Sequence, residues 1–98
     1  MDFEEYAARV LDIVEGIPSG RVLTYGDVAE RLGVGGPRQV GRVMSLHGGA
    51  VCWWQVVRAD GSPAAGYEET AVRRWRAEGT PLRPDGRRAD MGMARWRP

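Results

Sequence analysis

The chain has 98 residues, 43% of them hydrophobic, with one cysteine, one histidine and a formal net charge of +1. That is enough for one domain with one core, burying only about 60–65% of its unfolded surface. A lone cysteine excludes an internal disulfide, and with one histidine it excludes a Cys/His metal cluster; no apolar run approaches the ~20 residues of a membrane span.

The start, Met1-Asp2-Phe3-Glu4-Glu5, is acidic and unlike a signal peptide. A soluble cytoplasmic protein, nucleoid-associated if bacterial, is therefore expected, with no cofactor and no metal. Charge is unevenly spread. Residues 1–20 carry Asp2, Glu4, Glu5, Asp12 and Glu15 against Arg9, whereas residues 21–98 hold thirteen Arg against eight acids. Every basic residue is Arg. The planar fork of Arg suits phosphate and base-edge contacts, although genome composition is the simpler reason for the missing Lys.

Phe3, Tyr6, Ala7, Val10, Leu11 and Val14 recur at three- and four-residue steps, which predicts an amphipathic helix over about 2–15 with Gly16 just beyond it. Ile17-Pro18-Ser19-Gly20 reads as a turn. Thr24-Tyr25-Gly26-Asp27 has the form of a capping box, with Asp in place of Glu, and starts a short helix to Leu32. Gly33-Val34-Gly35-Gly36 breaks the chain, and Pro37 suits the first turn of the next helix. Val40, Val43 and Met44 give that helix a buried side; Arg38 and Arg42 share another face. Helix, glycine turn, helix is the outline of a helix-turn-helix.

Gly48-Gly49 ends that helix, and Val51 to Arg58 is rich enough in β-branched and aromatic residues to predict a short extended segment. Asp60-Gly61 is a turn, and Ser62-Pro63-Ala64-Ala65-Gly66 a loop of small residues. A last helix, about Glu68 to Glu78, buries Ala71, Val72 and Trp75 and stops at Gly79. Residues 83–98 read as a basic tail after a domain spanning 1–82, anchored, if at all, by Met91, Met93 or Trp96.

The order Gly20-Arg21-Val22-Leu23-Thr24-Tyr25-Gly26-Asp27-Val28-Ala29, Pro37-Arg38-Gln39-Val40-Gly41-Arg42-Val43-Met44, Cys52-Trp53-Trp54-Gln55-Val56-Val57, Asp60-Gly61 and Ala71-Val72-Arg73-Arg74-Trp75 with Ala77-Glu78-Gly79 resembles the C-terminal domain of O6-alkylguanine-DNA alkyltransferases. The resemblance covers roughly residues 3–82. It implies a mainly α, winged helix-turn-helix-like domain with a small β element. That family carries Pro-Cys-His-Arg-Val at its active site. Aligned on Val56-Val57, Trp53 falls at the acceptor cysteine, Trp54 at the histidine, Gln55 at the arginine and Cys52 at the proline. A Trp at the acceptor position is similar to the alkyltransferase-like proteins, which bind O6-alkylguanine without transferring the alkyl group and pass the lesion to nucleotide excision repair. Those proteins generally keep the His and Arg, and often carry a basic residue in the pocket loop. Here Trp54, Gln55 and Ala64-Ala65-Gly66 depart from that pattern.

Alkyl transfer needs a thiolate whose pKa is lowered by a positioned base. The resemblance matches Glu78 to the family's supporting Glu, but an indole nitrogen only donates, and Trp53 is no nucleophile. Catalysis is not expected. In an extended segment Cys52 and Trp53 point to opposite faces, so Cys52 is expected as a buried structural thiol and Trp54 as core packing.

The family's mode of binding implies that the base rotates out of the duplex, at a cost of a few kcal/mol. The resemblance gives Arg38 the role of filling the gap, from a helix in the minor groove, and Tyr25 that of crowding the 3′ phosphate. Gln39, Arg42 and Ser45 are expected to touch the DNA backbone, although Arg42 reads equally well as a solvated surface residue. Tyr25, Met44, Trp53, Val56, Ala65, Gly66 and Tyr67 are expected to line the lesion pocket, which Pro63 to Gly66 would enlarge and Tyr67 would close. His47 carries no assigned chemistry. The expected partner is double-stranded DNA with an alkylated guanine, bound by a monomer, with nucleotide excision repair proteins downstream. Two alternatives remain at this point: a winged-helix regulator without lesion preference, and a weak alkyltransferase using Cys52.

Overall fold

The computed structural model describes residues 1–97. Helix α1 (Phe3–Gly16) opens at Asp2, whose carboxylate accepts the Glu5 backbone N–H at 2.9 Å. Glu4 and Glu5 in its first turn complement the positive end of the helix dipole. Its apolar stripe buries Tyr6, Ala7, Val10 and Val14, the predicted face.

After the turn at Pro18 to Gly20 comes a two-residue strand, β1 (Leu23–Thr24). It pairs in parallel with β2 (Val56–Val57), Leu23 facing Val56 and Thr24 facing Val57. Helix α2 (Tyr25–Leu32) starts at the expected capping box: Thr24 Oγ1 accepts the Asp27 N–H and Asp27 Oδ2 accepts the Thr24 N–H, both at 3.0 Å. Left-handed Gly33 ends it. Helix α3 (Pro37–His47) follows, with Pro37 at its start and Val40 and Val43 buried.

The turn between α2 and α3 is seated on α1. The Tyr6 hydroxyl donates to the Val34 carbonyl at 3.2 Å, and Gly35 has φ +77° with any Cβ falling on that hydroxyl. Only glycine satisfies both the backbone sign and the closeness there. This fixes the angle at which α3 leaves the body.

One core joins α1, α2, α3 and the strands through Val10, Val14, Leu23, Val28, Val40, Val43 and Val56. A second gathers Val22, Val57, Ala71, Trp75, Ala89 and Ala94 beneath α4 (Glu68–Glu78). Each fully buried Val or Leu among them contributes on the order of 1.5–3 kcal/mol by leaving water.

The structure corrects two sequence expectations. The extended segment over 51–58 is short: Trp53–Gln55 forms a 3-10 turn and only Val56–Val57 is strand. Residues 83–97, expected as a tail, pack into the body. Ala89 lies in the second core, the Ala89 N–H donates to the Gly61 carbonyl at 2.9 Å, and Leu82 bridges Ala89. A one-turn helix, α5 (Met91–Ala94), leads to Arg95, which bridges Val22 in parallel and so adds to the β1 edge. Trp96 packs on the first core, as the anchoring option allowed. Pro98 lies outside the described residues.

Candidate nucleic-acid interface

The α2 start, the α3 face and the small-residue loop enclose a cavity of about 500 Å3. Tyr25 enters it as the first residue of α2. Gly41, Met44, Ser45 and Leu46 come from one side of α3, and Gly48-Gly49 from its end. Trp53, Ala64, Ala65 and Tyr67 complete the wall. The Trp53 and Tyr67 rings lie 5.5 Å apart, tilted by 59°. Gly48 lets this wall close up: a Cβ there would stand 3.3 Å from Met44 Cε and 3.6 Å from Trp53 Cβ.

A shallower depression adjoins it, bordered by Tyr25, Pro37, Arg38, Gly41, Arg58 and Ala64-Ala65. Tyr25 therefore separates an aromatic cavity from a surface with two exposed Arg. Burial pushes the Tyr25 phenol above its ordinary pKa of 10.0, with Arg58 pulling weakly the other way. It remains a hydroxyl, a neutral donor and acceptor, at neutral pH.

The structure brings Tyr25, Met44, Ser45, Trp53, Ala65 and Tyr67 of the predicted site together around one cavity. It does not bring Val56 or Gly66 there. Val56 is 1% exposed, paired with Leu23 and facing the core, because strand pairing claims it. Gly66 is exposed and only turns the chain toward Tyr67. Arg38 stands exposed in the first turn of α3. Gln39 turns back on its own helix, its Oε1 accepting the Gly36 N–H at 2.9 Å. Arg42 stacks over Phe3 at 4.8 Å from the ring centroid. Gly41, Leu46, Gly48, Gly49 and Arg58 were not predicted, and Ala64 was expected only as part of the loop that enlarges the pocket. Gly41 and Ser45 share a helical face, which was a usable signal, whereas nothing in sequence points Arg58 toward Tyr25.

Residues 52–55 hold the largest surprises. Cys52, expected buried, is exposed. It precedes a 3-10 turn with φ −74° and ψ 71°, so strand alternation does not govern it. Trp54 packs on the second core as expected, and its Nε1–H also donates to Glu78 Oε2 at 2.9 Å. Arg74 lies over its ring at 4.7 Å. Trp75, fully buried, donates its own Nε1–H to the Trp54 carbonyl at 2.7 Å. Gln55 turns inward, Nε2 donating to the Pro18 and Arg21 carbonyls at 2.6 and 3.1 Å. These neighbours of Trp53 are tied into the fold, and Trp53 itself sits edge-on to Trp54 at 5.7 Å.

Comparison with known proteins agrees with this fold. The family model described as 6-O-methylguanine DNA methyltransferase, DNA binding domain, matches residues 5–80. A methylated-DNA–protein-cysteine methyltransferase of Methanothermobacter thermautotrophicus is 42% identical over 66 residues, 65% of this chain and 36% of the relative. Its counterpart from Methanocaldococcus jannaschii is 43% identical over 44 residues, 45% of this chain and 26% of that protein. The matched stretch is thus about a third of the first relative's length. Among solved structures, S. pombe Atl1 in complex with damaged DNA containing O6-carboxymethylguanine superposes with a TM-score of 0.85 at 29% identity, each chain covered completely. A second S. pombe ATL complex with DNA gives 0.83 at 30% identity, again over both whole chains.

Proposed function

Because the chain belongs to the 6-O-methylguanine DNA methyltransferase DNA-binding-domain family and is of the alkyltransferase-like type, we propose that it binds DNA carrying an O6-alkylguanine, turns the damaged base into the Trp53 cavity and leaves the alkyl group in place. The observation that carries this reading is the position of Trp53. Trp53 lines the cavity, and the family resemblance matches it to the acceptor cysteine. The chain's one thiol, Cys52, is not among the lining residues.

The roles follow from the geometry. An O6-alkylguanine pairs poorly, so taking it out of the stack costs less than for an intact pair. Arg38, exposed at the start of α3 and next to Tyr25, is placed to fill the vacated step from the minor-groove side. Tyr25 lies between the Arg38 surface and the cavity, where a rotating nucleotide would pass. Trp53 and Tyr67 offer ring faces to the base, a contact worth about 1–3 kcal/mol. Ser45 can contact the nucleotide from the α3 wall.

No alkyl transfer follows. The carbon framework of an indole is not a nucleophile of thiolate strength, and Trp54, which the resemblance matches to the family's base, donates its N–H to Glu78. The bound, unrepaired lesion is then a mark for nucleotide excision repair in the cytoplasm or nucleoid, made by one copy of the chain. The test is to incubate the protein with an O6-methylguanine duplex and with its unmodified counterpart. Tighter binding to the methylated duplex, unchanged protein mass and retention of the methyl group on DNA are expected. A methyl adduct on Cys52 would refute the non-catalytic part. Equal affinity for both duplexes would favour a winged-helix regulator instead.

A further inference from the structure

We propose that the cavity selects by charge: it accepts uncharged O6 substituents and excludes those bearing a carboxylate. This rests on the reading that the cavity receives the base. None of its lining residues is Asp, Glu, Lys, Arg or His, and Tyr25, Ser45 and Tyr67 supply the side-chain hydroxyls. The loop opposite α3 offers only Ala64 and Ala65, whose side chains end at Cβ. A carboxylate entering such a space gives up water and finds no charged donor in exchange, which is costly.

The surroundings act in the same direction. Behind Trp53, Trp54 binds Oε2 of Glu78, while Glu78 Oε1 is buried with no hydrogen-bond partner among the described residues. That places an acidic group behind the aromatic wall. Arg74 covers the Trp54 ring and Arg42 covers Phe3; Arg38 and Arg58 line the adjoining depression, which shares Tyr25, Gly41, Ala64 and Ala65 with the cavity, and there they meet the DNA phosphates. The S. pombe Atl1 complex holds an O6-carboxymethylguanine on the same fold. The architecture as such is thus compatible with that lesion, and its exclusion here is assigned to this chain's wall residues.

The test compares three duplexes of one sequence at one salt concentration, carrying guanine, O6-carboxymethylguanine or O6-carbamoylmethylguanine. The last two have nearly the same shape and differ in charge. The carboxymethyl duplex is expected to bind about tenfold or more weaker than the carbamoylmethyl duplex. Ala65→Arg, at an exposed position on the wall, is expected to shrink that ratio to about twofold by supplying a donor for the anion. Tight and equal binding of both modified duplexes overturns the charge selection but leaves lesion recognition standing. Equal binding of all three overturns both. A large ratio unaltered by Ala65→Arg also overturns the proposal, since the wall would not be its cause.

Discussion

The indole N–H of Trp54 donates to Oε2 of Glu78 at 2.9 Å, joining the turn after α3 to the end of α4. The pair occupies the positions that the family resemblance assigns to a histidine and its supporting glutamate. Here the proton is held by the aromatic donor, and the carboxylate serves as its anchor. Trp54→Phe keeps the packing but leaves a half-buried carboxylate unpaired. It should lower stability by about 1–3 kcal/mol in urea unfolding. Lesion preference should change less than in a Trp53 variant. Unaltered stability would mean that the bond contributes nothing to the fold.

Arg38 and Arg42 sit one helical turn apart, yet only Arg38 is free of an aromatic stack, since Arg42 covers Phe3. Arg38→Ala should weaken binding to a lesion duplex about tenfold or more, whereas Arg42→Ala should cost no more than about threefold. Matching losses for the two would assign both to general phosphate attraction.

The C-terminal segment should behave as part of the domain. Trp96 packs on the first core, Arg31 lies 4.2 Å over its ring, and its N–H donates to the Val22 carbonyl at 2.9 Å. Arg95 Nε reaches Asp27 Oδ2 at 3.0 Å, bracing the capping box of α2. Trp96→Ala is expected to lower stability by about 2–4 kcal/mol, toward the large-to-small range for partly buried aromatics. Arg95→Ala should cost about 0.5–1 kcal/mol, because the ion pair is partly solvated. Thermal unfolding measures both, and a melting temperature unmoved by Trp96→Ala would return this segment to the status of a tail.

Stability should also fall in alkali. Burial raises the phenols of Tyr6 and Tyr25 above 10.0 in the folded chain. A raised folded-state pKa contributes stability that is fully present below pH about 10 and is lost as pH climbs through the folded value. Urea midpoints should hold steady to about pH 9 and then decline, with a shallower decline in Tyr25→Phe. An identical decline in that variant would remove Tyr25 as a cause.

Much of the helical frame was legible because its boundaries are local chemistry. Asp2, Thr24 with Asp27, Pro37, Gly33 and Gly79 each cap or stop a helix through contacts within a few residues. Most of the cavity followed from the family resemblance, which singled out Tyr25, Met44, Trp53 and Tyr67. What sequence did not disclose depends on partners far along the chain. Gln55 is turned inward by carbonyls near Pro18 and Arg21, and Arg95 by an aspartate 68 residues away. The 3-10 turn at Trp53–Gln55 has no periodic signature, so strand alternation was applied where it does not hold, and the placement of Cys52 was missed. Val56 was misassigned for a related reason, since its partner Leu23 lies across the sheet.

The central claim is that the Trp53 cavity receives the alkylated base. It is tested most directly by titrating the protein with an O6-methylguanine duplex and a matching guanine duplex while following tryptophan fluorescence. The account predicts tighter binding and deeper quenching with the lesion, and loss of that extra quenching in Trp53→Ala while Trp54 and Trp75 still report folding. Identical titrations with the two duplexes, or lesion-dependent quenching that persists in Trp53→Ala, would contradict it.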